Sequence, residues 1–331
     1  MGIGDAKRAE EYFASADVVV WTPGRESGRP IALNPLPDFT EAGDDPDELR
    51  TAVDAAVAGL IPKTGLPRAQ ARRGTAVLTE ALTYFAHQGG GQLDDFVALL
   101  ANLPQGVSTI RKAGQLAEGM ADELRAAMIT DPVFRGAGHR LDPGALLAPA
   151  VGKRARVSVI SCIGLADGQP ETFVNQLQLA LFAWIKRHPA GDRPLGALLV
   201  LDEAQTFVPA QQAAASKQST LRLATQARKY GLGMVYATQA PKALHNLVSG
   251  NAATQFYGRL GASVQIRVVE ELARARGGRI DDISSLGAGQ FYGATEGATF
   301  AKTQTPMCLS HHGESALTEE EVLERARRTT Q

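Results

Sequence analysis

A continuous apolar run that ends in two acids is the feature that most restricts how this chain folds. The run is Ala197-Leu198-Leu199-Val200-Leu201, and Asp202 and Glu203 follow it directly. Apolar residues without alternation are typical of a strand that is buried on both faces of a parallel sheet. Other strand-like runs occur at Asp17–Trp21, Val157–Ser161, Gly233–Ala237 and Ala253–Tyr257. Helical patterns separate most of them, which predicts a three-layer α/β fold with right-handed crossovers.

Residues 46–130 have a different pattern and are predicted to be almost wholly helical. Apolar residues recur at helical spacing in several successive stretches, for example at Leu49, Val53, Val57 and Leu60. Amphipathic helices in succession predict a small bundle that shields a core, and we find no candidate catalytic residue among them.

The predicted organisation therefore has a helical insert within an α/β core. Residues 1–45 begin the core, 46–145 form the insert, and 146–315 complete the core. A short helix is predicted within residues 316–331, because Thr318 and Glu321 have the spacing of a capping box.

Composition narrows the range of partners and compartments. The 331 residues carry 34 Lys and Arg against 35 Asp and Glu, a net charge of -1, so nucleic-acid binding would need a local patch or a ring of subunits. The cysteines, Cys162 and Cys308, have no zinc-site spacing. With no signal peptide or membrane-spanning stretch in the sequence, the prediction is a cytoplasmic protein.

The acids after the apolar run are the first candidates for chemistry. In open α/β sheets, ligands bind outside the carboxyl ends of the strands. Asp202 could hold Mg²⁺ there, and Glu203 could polarise the water that attacks a nucleotide. The alternative is that both acids are ordinary turn or helix-capping residues.

A second strand end strengthens the nucleotide hypothesis. The predicted strand Gly233–Ala237 is followed by Thr238 and Gln239. If the two strands are parallel neighbours, these residues emerge beside Asp202 and Glu203, and the amide could bond a γ-phosphate oxygen or the attacking water. The alternative for Gln239 is a polar strand end without a catalytic role.

At these residues the chain resembles the HerA/FtsK-type P-loop ATPases, most closely the HerA-like bacterial ATP-binding proteins. Leu199-Val200-Leu201-Asp202-Glu203-Ala204-Gln205 is similar to a Walker B strand, and Ala227–Gly233 with Ala237-Thr238-Gln239 is similar to the next helix, strand and sensor. The resemblance extends to further segments in the family's order and covers nearly the whole chain. These are Thr22-Pro23-Gly24 with Leu33-Asn34-Pro35-Leu36, Phe173–Leu177, and Gly289-Gln290-Phe291-Tyr292.

The resemblance implies a RecA-like fold and a role for each matching residue. Asp202 would be the magnesium residue, Glu203 the catalytic base and Gln239 the sensor, with Thr238 beside it at the nucleotide. Arg228 matches a functional arginine that neutralises charge in the transition state, at its own site or across a subunit interface.

Simpler interpretations of the basic residues stay open. Arg228 could be a solvated cation at a helix C-terminus, where the dipole favours it. Arg259 is a weaker candidate for the same catalytic task. Lys217 and Arg222 could reach DNA in the channel of a ring, although a solvated helix face is preferred.

The sequence departs from the family in the phosphate-binding loop. No GxxxxGK[ST] motif occurs; Gly152-Lys153 is followed by Arg154, and Lys63-Thr64 follows a proline. The expectation is that the first strand and the P-loop are missing, through truncation, a misplaced gene start or decay, and that the chain alone binds ATP poorly. An in-frame motif upstream of Met1 would favour a truncated enzyme.

The leading hypothesis is therefore a subunit of an ATP-driven DNA translocase or helicase that uses ATP and Mg²⁺ in its complete form. The resemblance implies a homo-hexamer, with double-stranded DNA and a nuclease or other accessory protein as partners. One alternative is a non-hydrolysing interaction module that kept the fold. Another is the motor of a conjugative or secretion complex.

Overall fold

The computed structural model describes residues 3–32, 36, 37, 39–42, 45–131, 134, 139, 140, 143–306, 308, 313 and 315–329. Leu33, Asn34 and Pro35, part of the resemblance, lie outside these residues. The chain divides into two compact units, one of Met1–Tyr12 with His188–Ala316 and one of Phe13–Arg187 with Leu317–Gln331. The predicted division at residues 45, 145 and 315 stays a prediction.

The helical bundle is confirmed in the second of these units. Helix α1 (Ile3–Ser15) comes before the bundle in the chain. The helices of the bundle are α2 (Pro46–Leu60), α3 (Arg68–His87), α4 (Leu93–Ala101) and α5 (Ala113–Thr130). Their apolar faces meet in one cluster, in which Leu60, Leu78, Phe96 and Leu124 are fully buried. Asp45 begins α2 by accepting hydrogen bonds from the backbone N–H groups of Asp47 and Glu48.

The same unit contains two parallel strand pairs. β1 (Ala16–Trp21) runs beside β4 (Ala155–Ile160), and the short β2 (Ile31–Ala32) runs beside β3 (His139–Arg140). An ion pair joins β1 to β4, since Asp17 Oδ2 lies 2.6 Å from Arg156 Nη2. The hydrogen bond from Arg156 lowers the pKa of Asp17. Helices α6 (Pro143–Leu147) and α7 (Gln169–Arg187) also belong to this unit.

The C-terminal helix α11 (Glu319–Arg328) also belongs to this unit, and its predicted capping box is confirmed. Thr318 accepts a hydrogen bond from Glu321 N–H, and the Glu321 carboxylate accepts one from Thr318 N–H at 2.7 Å. The helix ends against β1, where the Val20 N–H donates to Thr329 Oγ1 at 3.4 Å. Arg29 donates to the Thr329 carbonyl oxygen at 2.8 Å.

The other unit is built around a second parallel pair, β5 (Ala197–Leu201) and β6 (Leu232–Tyr236). Helix α8 (Lys217–Gln226) and a 3₁₀ turn (Ala227–Tyr230) connect the two strands. The unit continues with two more helices and a three-stranded antiparallel sheet, and the second helix lies between the first and second strands of that sheet. These elements are α9 (Asn246–Asn251), β7 (Gln255–Tyr257), α10 (Ser263–Ala275), β8 (Gln290–Ala294) and β9 (Ala301–Gln304).

A glycine in the left-handed region begins β6. Gly231 has φ +77°, and a Cβ atom added to it would lie 2.2 Å from Ala190 Cβ. The Ala190 N–H donates to the Tyr230 carbonyl, and the Gly196 N–H donates to the Gly231 carbonyl at 2.8 Å. The starts of β5 and β6 are therefore held together by a contact that a larger residue would disrupt.

One prediction about β5 is wrong, because the strand is not buried on both faces. Leu198 and Val200 are 51% and 56% exposed, and Val235 on the same face of β6 is 42% exposed. Leu201 and Leu232 lie on the opposite face and are buried. A continuous apolar run cannot distinguish a strand with two covered faces from one with a single covered face.

Candidate functional site

The carboxyl ends of β5 and β6 lie at the same edge of their sheet, as the sequence predicts. Leu201 pairs with Tyr236 in parallel register. The ladder then continues past both strands, since the Ala237 N–H donates to the Leu201 carbonyl and the Ala204 N–H donates to the Ala237 carbonyl, each at 2.9 Å. The chain segments that follow the strands therefore emerge side by side.

The side chains of Glu203, Gln205, Thr238 and Gln239 form one hydrogen-bonded group, which we call the strand-end cluster. Glu203 is at its centre. Its backbone is in the left-handed region, with φ 49°, a conformation that costs a non-glycine residue on the order of 1–2 kcal/mol. Its carboxylate accepts two side-chain hydrogen bonds. Gln239 Nε2 donates to Oε1 at 3.0 Å, and Gln205 Nε2 donates to Oε2 at 2.7 Å. Two of the three predicted catalytic residues, Glu203 and Gln239, are thus in direct contact.

Gln205 is the residue whose importance the sequence did not reveal. Its Oε1 accepts a hydrogen bond from Thr238 Oγ1 at 2.5 Å, and Thr238 Oγ1 accepts one from the Ala240 N–H at 3.0 Å. An ionised carboxylate only accepts hydrogen bonds, so the amide nitrogen of Gln205 must face Glu203 and its oxygen must face Thr238. Gln205 therefore links the segment after β5 to the segment after β6.

Two features of the sequence are consistent with the link through Gln205, although they do not predict it. Gln205 stands two residues after Glu203, and the hydroxyl of Thr238 directly follows the next strand segment. The sequence does not give the length of the turn after β5. It therefore does not predict on which side of Glu203 the Gln205 side chain lies.

Asp202 lies next to this cluster and remains accessible. One carboxylate oxygen, Oδ1, accepts the Glu203 N–H at 3.0 Å, and the residue is exposed. Within the part of the chain that the structure describes, no three His, Cys, Asp or Glu side chains form a metal-binding group. Mg²⁺ is usually bound by one or two carboxylates, water and phosphate oxygens, so an exposed carboxylate of this kind fits that ion.

The turns that carry the cluster are braced by backbone contacts. The Ala210 N–H donates to the Ala243 carbonyl at 2.8 Å, and the His245 N–H donates to the Val208 carbonyl at 3.0 Å. Gln265, in the first turn of α10, donates to the Gln239 carbonyl at 3.3 Å. At the end of β6, burial raises the pKa of the Tyr236 phenol. The strand-end residues are therefore attached to a framework on several sides.

Arg228 does not lie with the strand-end cluster. It is exposed in the 3₁₀ turn that precedes β6, whereas Gln239 follows that strand. A five-residue strand rises ~3.3 Å per residue, so its ends lie about 13 Å apart. The prediction that Arg228 serves its own site is disfavoured by this distance, and a role at a neighbouring subunit stays a prediction. Arg259 is exposed just after β7.

The other basic candidates contact the protein's own backbone or its acids. Lys217 Nζ donates to the carbonyl oxygens of Ala210 and Gln212, each at 3.3 Å. Lys153 Nζ donates to the carbonyl oxygens of Phe13 and Ala14 at the end of α1. Lys63 Nζ lies 2.7 Å from Asp131 Oδ2. These contacts support structural roles for all three lysines.

Comparison with known proteins identifies the fold. The model of the Zonular occludens toxin (Zot) family matches residues 166–268, a segment that contains β5, β6 and the strand-end cluster. No curated protein sequence matches the chain.

Solved structures are similar over nearly the whole chain. The plasmid coupling protein TrwB in complex with ADP and Mg²⁺ has a TM-score of 0.53 at 13% identity, covering 96% of this chain and 82% of the other. VirB4 of Thermoanaerobacter pseudethanolicus has a TM-score of 0.52 at 14% identity, covering 93% and 87%. An unbound form of TrwB lacking its N-terminal segment has a TM-score of 0.51 at 13% identity, covering 91% and 80%. The predicted fold class, a RecA-like α/β fold, is confirmed.

No helix among the described residues combines the length and apolar character that crossing a bilayer requires.

Proposed function

We propose that this chain is the nucleotide-hydrolysing part of an ATP-driven motor that moves DNA, of the kind that serves conjugation or secretion. The observation that carries the proposal is the contact between Glu203, after β5, and Gln239, after the parallel strand β6. An acid pair and an amide at one edge of a parallel sheet are the groups that position magnesium and an attacking water.

The comparisons support a conjugative or secretion motor better than a HerA-type motor. The similar structures are a plasmid coupling protein and VirB4, and one of them was solved with ADP and Mg²⁺. We extend that nucleotide and metal to this chain as a proposal. A ring of identical subunits acting on double-stranded DNA belongs to the same proposal, as does a cytoplasmic location.

Each strand-end residue has a role that its geometry supports. Asp202 would hold the magnesium ion, which supplies charge neutralisation at the phosphates when bound. Glu203 would accept a proton from the attacking water. Gln239, already bonded to one oxygen of Glu203, would orient that water, while Gln205 and Thr238 keep the other oxygen in place.

ATP hydrolysis tests the proposal. The assay compares residues 1–331 with the longest in-frame product of the gene, each with and without Mg²⁺. We expect magnesium-dependent hydrolysis by a product that carries a phosphate-binding loop. Because removal of a general base typically costs 10²–10⁴-fold, Glu203→Gln should lower the rate by roughly a hundredfold or more.

A matched variant separates catalysis from a general effect of lost charge. Glu296→Gln makes the same change at an exposed position in the turn after β8 and should leave the rate unchanged. Equal rates for wild type and Glu203→Gln would remove Glu203 from the reaction and with it the proposed hydrolysis site.

A further inference from the structure

A group of exposed cations lies on the helical bundle, outside the strand-end cluster. Arg68, Arg72 and Arg73 are in the first turns of α3, and Arg111 and Lys112 directly precede α5. All of them are exposed. Arg73 Nη2 donates to the Arg111 carbonyl oxygen at 2.6 Å, so the two segments are in contact. We call these residues the bundle basic surface.

The sequence around this surface contains no acid that would neutralise it. Residues 55–79 include no Asp or Glu, and neither do residues 96–117. The chain as a whole has 34 basic and 35 acidic side chains, so two acid-free stretches that meet in space are a local departure from its balance. The net charge of -1 conceals this concentration of positive charge.

Three acids of α3 and α5, namely Glu80, Asp122 and Glu123, contact residues that are not part of the bundle basic surface. Glu80 accepts hydrogen bonds from Ser108 and Thr109. Asp122 pairs with Arg125, and the Glu123 side chain lies against Gly65. Among the described residues, no ion pair involves any member of the bundle basic surface.

Helix stability does not account for these cations. The N-terminal end of a helix carries a partial positive charge, so basic residues in the first turn are disfavoured and acids are preferred. α3 has no acid in its first turn, and neither does α5. The surrounding bundle would be more stable with fewer positive charges here, which points to a partner that carries negative charge.

We propose that the bundle basic surface binds the phosphate backbone of a nucleic acid. The choice of partner rests on the proposed function, because a motor that moves DNA must hold it. Arg68 and Arg72 are four residues apart, which places them on one face of α3 at about 6 Å along its axis. Arginine forms bidentate hydrogen bonds with phosphate, so both side chains suit a polyanion with closely spaced charges.

Binding of a short fluorescein-labelled DNA duplex by the full chain, without nucleotide, tests the proposal. Each phosphate contact contributes ~0.9 to the slope of log affinity against log salt. The double variant Arg68→Ala/Arg72→Ala should therefore lower that slope by about 2. It should also weaken binding on the order of tenfold to a hundredfold at ~0.1 M salt.

Two further variants make the result specific. Arg50→Ala/Arg154→Ala removes the same charge from exposed positions of the same unit and should change affinity less than about twofold. Arg68→Lys/Arg72→Lys keeps both charges but loses the bidentate geometry, so it should retain the salt slope and lose part of the affinity. If its salt slope falls as far as that of the alanine variant, the change does not follow the number of positive charges at the surface, and the proposal fails.

DNA binding and ATP hydrolysis are measured separately, so one can fail without the other. If wild type does not bind the duplex, or if the alanine variant binds it as tightly as wild type, the bundle basic surface is not a nucleic-acid site. Because no nucleotide is present, either result leaves the hydrolysis assay and its Glu203→Gln control undisturbed. An acidic protein would then become the partner that the surface fits.

Discussion

Exchanging the amide of Gln205 for a carboxylate tests the geometry of the strand-end cluster directly. In Gln205→Glu the side chain keeps its shape and can still accept the hydrogen bond from Thr238, but it can no longer donate to Glu203. The lost hydrogen bond is worth about 1 kcal/mol. Two carboxylates that relax to ~4 Å in a water-like dielectric repel each other by about 1 kcal/mol more. We expect the folding free energy to fall by about 2 kcal/mol.

Differential scanning calorimetry measures this loss. For a unit of this size, about 2 kcal/mol corresponds to a melting temperature lower by roughly 4–8 °C. Salt at about 1 M shortens the Debye length to ~3 Å, so it should recover the repulsive half of the deficit. The double variant Gln205→Glu/Glu203→Gln restores a carboxylate–amide pair with the partners exchanged and should recover most of the stability.

Two results would contradict the predicted contact between Gln205 and Glu203. If Gln205→Glu melts within about 1 °C of wild type, which corresponds to less than 0.5 kcal/mol, the two side chains are not in contact. If the double variant melts as low as the single one, the loss arises from something other than the Glu203 contact.

Two further predictions concern the framework. The pKa of Asp17 lies below its usual value of 3.8 because of the hydrogen bond from Arg156, so its contribution to stability is present above pH ~4 and is lost as the pH falls through the lower folded pKa. Asp17→Asn should therefore lower the melting temperature at neutral pH and converge with wild type in acid; a constant difference would contradict this. Gly231→Ala combines a positive φ with a 2.2 Å clash against Ala190, and we expect a loss of about 2 kcal/mol or more in urea unfolding. Gly191→Ala, at φ +61° in open space, should cost only about 1 kcal/mol, and equal losses would show that the clash is relieved.

Strand and helix positions were predictable because their local signals agree with the fold. The run Ala197–Leu201 is the observed β5, and Thr318 with Glu321 forms the expected capping box. The burial of β5 was not predictable, because the sequence of a strand does not record how many of its faces another element covers. Leu198 and Val200 are as apolar as Leu199, yet both are more than half exposed.

The sequence predicted that Glu203, Thr238 and Gln239 lie close together, but it predicted neither the part played by Gln205 nor the hydrogen bonds among the four side chains. Parallel pairing of β5 with β6 is enough to bring Glu203 near Gln239, and parallel pairing follows from the alternation of strands and helices. The role of Gln205 depends on a turn in which Glu203 adopts a positive φ. A non-glycine residue rarely does so, and no sequence pattern marks it here.

The position of Arg228 restricts any mechanism that includes it. Arg228 precedes β6 while the acids and the amide follow the carboxyl ends of β5 and β6, so the length of the strand separates them. A side chain at the amino-terminal edge cannot neutralise charge developing at the opposite edge of its own sheet. If Arg228 takes part in hydrolysis, it must therefore act on the site of another subunit, and the proposed ring would be required for catalysis as well as for holding DNA. In that case hydrolysis per subunit rises with protein concentration, and Arg228→Ala lowers the rate without weakening the Glu203–Gln239 contact.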